Sequence, residues 1–270
     1  MKSLKTMASA CALILGLAAH LAPAHADALD DIKQRGTLRV AVPQDFPPFG
    51  SVDASMQLKG LDIEVSKLIA AKLGVKVELV PVVSANRIPY LQTNKVDLVI
   101  STLGKSEERE KVIAFSQIYA PFNNSVFGRA NEKVAKPEDL AGKTIGVARG
   151  TFEDLLLTKS VPTSTVIKRY DDNNGMISAY LSGQVPLMGT GDFVASGIAD
   201  TLPAGSPNKP EAKYVIHVSS CRVGLNKDQP KLLAAVNDAL TNAKKSGELN
   251  GLVEKFLHVP IPPDMLNDYK

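Results

Sequence analysis

Three arginines stand beside small donor residues at the ends of short apolar runs, and no nucleophile accompanies them. Arg87 lies in SANRIPYLQTNKVDLVIS (84–101), two residues before Pro89 and just ahead of Tyr90 and Leu91, in a segment that otherwise calls for cover. After the run VDLVIS, Thr102 and Gly104 offer a hydroxyl and an unobstructed N–H. Ser106 suits the cap of a short helix beginning at Glu107 and Glu108, which puts Arg109 on its first turn. A guanidinium beside backbone donors can receive a carboxylate through paired hydrogen bonds; an arginine in an EER run is also an ordinary solvated helix charge. Arg149, Gly150 and Thr151 precede a helix whose free N–H groups favour an anion, although Glu153 and Asp154 answer the same dipole. Asp192, following GTG, can meet an ammonium group or cap the next helix, and the sequence does not separate these roles. Phe46, in the proline-stiffened loop QDFPPFG, either presents an aromatic face to a ligand or plugs an edge.

Other chemistries lack their residues. The chain has no G-x-S-x-G, H-E-x-x-H or P-loop; SPNK at 206–209 fits S-x-x-K but sits in a turn-rich stretch, and GTGD at 189–192 does not complete a dinucleotide fingerprint. Beyond residue 26 the one cysteine is Cys221, near Val218 and Val223, which reads as a small buried hydrophobe. His217 and His258 have no His or Cys partner at ligand spacing, so no metal or other cofactor is expected. Carboxylate-binding and ammonium-binding groups without a nucleophile describe a receptor for a zwitterion, with no catalytic residue.

The elements that must position these groups follow a regular order. Residues 1–26 read as a secretory signal: Lys2 and Lys5, an apolar run from about Met7 to Leu21, then Ala24-His25-Ala26 before Asp27. The chain holds 31 Lys+Arg and 28 Asp+Glu, and because two of the lysines belong to that leader the remainder is nearly neutral. It carries no electrostatic footprint for nucleic acid or an anionic membrane surface. Strand-like runs at 37–43, 75–82 and 96–101 alternate with helical spacing at 61–74, closed by Gly74, and at RIPYLQT. A second series has strands at 144–150, 164–170 and 185–192 separated by FEDLLLTKS and GMISAYLSG. Then come the strand KYVIHVS and an amphipathic helix striped by Leu232, Leu233, Val236 and Leu240. Two βαβ series in succession predict an α/β protein of two similar lobes, with the site at strand ends in the cleft between them.

In order along the chain, LRVAV…FPPFG, KGLDIEVSKLIAAKLG, RIPYLQTNKVDLVIS, SEEREKVIAFSQIYA, KPEDLAGKTIGVARGT and ELNGLVEKFL resemble the periplasmic solute-binding proteins of ABC importers for polar amino acids. NRIPYLQ and VPIPPDML are most similar to the glutamate/aspartate-binding branch. The resemblance implies the two-lobed type II periplasmic binding protein fold, each lobe a mostly parallel sheet flanked by helices, joined by two crossover strands. The crossovers are expected near Tyr119–Phe127 and Val218–Gly224, making lobe 1 from 27–122 plus 221–270 and lobe 2 from 123–220. By the same resemblance Arg109 clamps the ligand α-carboxylate, Thr102, Gly104 and Thr151 assist, and Ser84 and Arg87 approach the ligand. Asp192 falls at or beside the ammonium-binding position, with Gly191 the alternative. The expected ligand is a free amino acid, acidic or polar, because Arg87, Arg109 and Arg149 around one dry cleft call for a second carboxylate. The expected partner is an inner-membrane ABC permease, the location the periplasm, and the state a monomer. The same scaffold also carries periplasmic cyclohexadienyl or arogenate-type dehydratases and ligand-delivering sensor proteins, which are the alternative readings.

Overall fold

The computed structural model describes residues 27–266; the expected signal at 1–26 lies outside the described residues. The strands are β1 Thr37–Pro43, β2 Asp45–Phe46, β3 Gly50–Val52, β4 Leu58–Lys59, β5 Lys76–Val82, β6 Leu98–Leu103, β7 Ile113–Gly128, β8 Thr144–Ala148, β9 Val166–Tyr170, β10 Leu187–Gly191 and β11 Glu211–Asn226. The helices are α1 Ala28–Arg35, α2 Leu61–Leu73, α3 Arg87–Gln92, α4 Glu107–Glu110, α5 Phe152–Ser160, α6 Asn173–Leu181, α7 Asp192–Thr201, α8 Pro230–Lys245, α9 Glu248–Leu257 and α10 Pro263–Leu266.

Eight strands join in the order β5-β1-β6-β11-β7-β10-β8-β9. β1 runs parallel to β5 and β6, and β8 runs parallel to β9 and β10. Between these two parallel groups stand β7 and β11, paired antiparallel from Asn226 opposite Ile113 to Glu211 opposite Gly128. Together they join the two groups: β6 pairs with β11 through Leu98, Val99 and Leu103, and β10 pairs with β7 from Asn124 to Gly128. The register of the ribbon shifts at four places, including Cys221/Arg222 and Arg222/Gly224. Such irregularities bend and twist a ribbon locally. The expected crossover segments lie within these two strands.

Each parallel group builds its own core. On one side β1 and β6 meet α2, α8 and α9, burying Leu38, Val40, Ile63, Ile69, Leu98, Ile100, Val236, Leu240 and Val253. The other face of β6 buries Val99 and Leu103 against Leu91, so this central strand is apolar on both faces, as parallel strands generally are. On the other side Val126, Ile145, Val147, Leu157 and Leu187 form one cluster, and Met176, Tyr180, Val185 and Met188 another. Burial of each large aliphatic side chain contributes about 1.5–3 kcal/mol. α2 stops where the sequence says it should: Gly74 takes φ +71° and donates its N–H to the Ala70 and Ala71 carbonyls.

Several boundaries differ from the sequence reading. β6 extends to Leu103, so Thr102 is inside the strand, with a left-handed φ of +47°. β10 begins at Leu187, after Pro186, because proline cannot donate to a ladder. The small antiparallel sheet β2-β3-β4 was not anticipated, since runs of two or three residues carry no readable period.

Candidate functional site

The loops after β1, β5, β6 and β8, the β7 segment around Phe122–Asn124 and the start of α6 meet around an inner cavity between the two parallel groups. Phe46, Ser84, Arg87, Thr102, Gly104 and Thr151 line it, as do Asp45, Phe122, Asn124, Phe152, Glu153 and Asn173. Its free volume is only ≈ 20 Å³, about what one water needs. Anything of amino-acid size therefore enters only if the two sides part.

Contacts across the gap hold the sides together. Asp45 Oδ2 accepts the backbone N–H of Asn173 at 2.7 Å and its Nδ2–H at 3.1 Å. Arg87 and Arg109 both donate to the Gly150 carbonyl, at 3.5 and 3.3 Å. Gly150 has φ +75°, and a Cβ there would lie 3.0 Å from Ala85 Cα. Only glycine suits that conformation and that approach.

The sequence leads one to expect Arg87 to approach the ligand with its charge uncompensated. Instead it is buried, and its guanidinium donates to the carbonyls of Ser84 (3.1 Å), Ser101 (2.6 Å) and Gly150. Burial lowers its pKa, while Glu153, Asp45 and Asp62 oppose that shift. The Ser84–Asn86 turn and α3 after it set this geometry. Ser84 lines the cavity and lends its carbonyl to Arg87.

Arg109 sits on α4, whose Ser106 cap forms as expected, accepting the Arg109 N–H at 3.3 Å. Its Nη1 donates to the Gly104 carbonyl at 2.9 Å, its Cζ lies 5.1 Å from the Phe152 ring centre, and its buried Nε has no partner. Burial first, and then the charge of Arg87, bring its pKa down to about 9. Arg109 lines an adjoining groove of ≈ 260 Å³, which shares Ser84 and Arg87 with the inner cavity. Gly104 is tight against the same ring: a Cβ there would stand 3.1 Å from Phe152 Cδ1.

The hydroxyls expected to meet a ligand are used within the protein. Thr102 donates both its N–H (2.8 Å) and its Oγ1–H (2.9 Å) to Asp62 Oδ2, while Tyr119 donates its O–H to Asp62 Oδ1 at 2.7 Å. Thr151 caps α5: its Oγ1 accepts from the Asp154 N–H at 3.2 Å and donates to the Ala148 carbonyl at 2.9 Å. Phe46 lines the cavity, stacked at 6.0 Å on Phe49 and tilted at 6.1 Å against Phe122.

Two expected residues are placed elsewhere. The Arg149 side chain is 54% exposed and stands 3.8 Å from Asp171, outside the lining; the turn at Gly150 directs the carbonyl of residue 150, not the neighbouring side chain, toward the arginines. Asp192 opens α7 but does not line the cavity: its oxygens accept from Ser125 Oγ at 2.5 Å and Asn123 Nδ2 at 3.1 Å. Gly191 cannot take its place. A Cβ at Gly191 would lie 2.3 Å from Phe122 Cζ, so the Phe122 ring fills the space of a side chain there.

The sequence reading missed the acids that matter most to the electrostatics. Asp62 is fully buried, and burial raises its pKa to about 7 against the lowering pull of Tyr119 and Thr102. Burial likewise raises Asp45, opposed by its bonds to Asn173. Glu153 is buried and raised for the same reason, with Arg87 and Arg109 opposing, and its Oε1 has no hydrogen-bond partner. In the sequence Glu153 reads only as an answer to the helix dipole; its place two residues after the capping Thr151 is the signal that points it inward. Two guanidiniums thus face three buried carboxyl groups. The excess of positive charge expected of the cleft is not there.

The sequence of residues 38–259 matches the model for bacterial extracellular solute-binding proteins, family 3. The chain is 28% identical to the L-cystine-binding protein TcyJ of Escherichia coli (strain K12) over 230 residues, 84% of this chain and 85% of that protein. It is equally 28% identical over 276 residues to the glutamate/aspartate import solute-binding protein of Salmonella typhimurium, covering 94% of this chain and 89% of that one. Among solved structures, a mutant of ArgBP from T. maritima superposes with TM-score 0.79 at 30% identity, over 86% of this chain and 100% of that one. The ancestral amino acid-binding protein AncCDT-1, described as a precursor of cyclohexadienyl dehydratase, superposes with TM-score 0.76 at 32% identity, again over 86% and 100%. The fold is that of the type II periplasmic binding proteins. With the matched model spanning both parallel groups and the ribbon between them, the chain belongs to the bacterial extracellular solute-binding proteins, family 3.

Proposed function

We propose that this protein is the substrate-binding component of an ABC importer, closing on one free amino acid and delivering it to an inner-membrane permease. The observation that carries this reading is the approach of Glu153 to Arg87 and Arg109 at an inner cavity and the groove adjoining it, with Glu153 Oε1 and Arg109 Nε still unpaired. The moving units are lobe 1, 27–122 plus 221–270, and lobe 2, 123–220, hinged on β7 and β11. The protein acts as a periplasmic monomer without catalysing a reaction. Arg109 meets the α-carboxylate, supported by the N–H of Gly104 and the capped start of α5 at Thr151. Arg87 shapes the floor through backbone carbonyls, and Phe46 lies against the ligand's apolar part. The balance of two guanidiniums against three acids supports a polar zwitterion over a dicarboxylate.

A thermal-shift screen across the amino acids tests this. A ligand at 100 times its Kd adds about 2.7 kcal/mol, which for a chain of this size raises Tm by roughly 5–10 °C. At least one polar amino acid is expected to do so. No shift with any of them, or saturable turnover of prephenate or arogenate, contradicts the proposal.

A further inference from the structure

Most acceptors around the cleft are already occupied. Asp45 is held twice by Asn173, Asp62 by Thr102 and Tyr119, and Asp192, outside the lining, by Ser125 and Asn123. Two buried oxygens in the cavity wall are different: Glu153 Oε1 and Asn124 Oδ1 have no hydrogen-bond partner. Glu153 is 3% exposed and Asn124 fully buried, and the Asn124 amide nitrogen is engaged by the His217 carbonyl at 3.4 Å. A buried oxygen left unpaired costs about 1–3 kcal/mol, more when it is charged. A donor that reaches both oxygens recovers that cost, and a cationic donor suits the carboxylate best. In the adjoining groove, which shares Ser84 and Arg87 with this cavity, the buried Arg109 Nε is a donor without a partner.

We propose that Glu153, assisted by Asn124, receives the ammonium group of the ligand, with the ligand's carboxylate directed to Arg109. The inference rests on the amino-acid-binding reading above and adds the residue and the selectivity. The ammonium acceptor comes from the start of α5, not from the start of α7, where Phe122 fills the space beside Gly191 and Asp192 is turned to the ribbon. It follows that ligands bearing a positive group are preferred, and that a second carboxylate brought near Glu153 weakens binding.

Calorimetric titration of the whole protein separates these claims. The probes are L-glutamine, L-arginine, L-cystine and L-glutamate, with glutaramate and 5-guanidinopentanoate as the des-amino analogues of the first and second. On the wild type, removing the ammonium from glutamine or arginine, whichever binds, is expected to weaken binding at least about 30-fold, and glutamate is expected to bind more weakly than glutamine. Glu153→Gln is expected to lower amino-acid affinity by a similar factor and to leave the des-amino analogue within about threefold. Asp192→Asn is expected to stay within about threefold of wild type. Equal binding of an amino acid and its des-amino analogue by the wild type overturns the proposal without reference to any variant's folding. So does unchanged affinity in a folded Glu153→Gln protein, or a large loss confined to Asp192→Asn. Silence of the wild type toward every amino acid overturns the functional reading itself, and is thereby distinguishable.

Discussion

At the residue scale, the cleft is governed by which polar atoms are already satisfied. Arg87 attracts attention in the sequence as an uncovered cation, but three backbone carbonyls take up its guanidinium. Its removal should therefore disturb the wall itself. Arg87→Ala is expected to lower stability by about 3–5 kcal/mol, because buried acids lose their counter-charge, and to weaken neutral and acidic ligands alike; a chemical denaturation series checks the first and titration the second. A second prediction concerns Asp62. Its folded pKa of about 7 lies above the ordinary aspartate value of 3.8, so the folded state keeps a proton that the unfolded chain gives up. That contribution is fully present below pH 3.8 and is lost as pH rises to about 7. Asp45 and Glu153, also raised by burial, act with the same sign. Melting temperature should fall from pH 5 to pH 8 in the wild type, and fall less in Asp62→Asn, whose amide can still accept from Thr102 and donate toward Tyr119. A parallel pH dependence in the two proteins would count against a protonated Asp62. Neither Asp62 nor Glu153 was legible as a buried acid, because a carboxylate in the first turn of a helix looks like dipole compensation wherever it points.

At the element scale, helix starts and strand ends carry the site, and these were largely readable. Gly74 as the stop of α2, Ser106 as the cap of α4 and the apolar stripe of α8 all follow from local rules, and the structure realises them. The rest depended on contacts between distant segments. Nothing near Gly191 in the sequence announces that Phe122, almost seventy positions earlier, occupies its side-chain space. Nothing near Arg149 says that its helix start turns the carbonyl of Gly150 inward. The prediction at this scale is Gly150→Ala. The left-handed φ of +75° and the 3.0 Å approach to Ala85 Cα make that methyl strained and obstructive at once. Ligand affinity should fall about tenfold or more, because full approach of the two sides is blocked, with most of the fold's stability retained. Unaltered affinity would show that the Gly150–Ala85 approach is not needed for binding.

At the scale of the whole molecule, the two parallel groups are joined through β7 and β11 and meet again across the gap through Asp45–Asn173 and the Gly150 carbonyl. The two-lobed architecture was evident from two successive βαβ series; the narrowness of the closed cavity was not, since it depends on side chains meeting from both sides. Asp45→Ala removes two hydrogen bonds across the gap, each worth about 1 kcal/mol or more. Small-angle scattering should find the ligand-free variant more extended than the wild type, with ligand restoring compactness. The central claim, that one amino acid is clamped between the sides by Arg109, is tested most directly by calorimetry. The amino acid giving the largest thermal shift is titrated into the wild type and into Arg109→Ala. The account predicts about one site per chain in the wild type and an affinity loss of at least 30-fold in the variant, the scale expected for removing one side of a buried charge pair. Retention of wild-type affinity by a folded Arg109→Ala protein would contradict it.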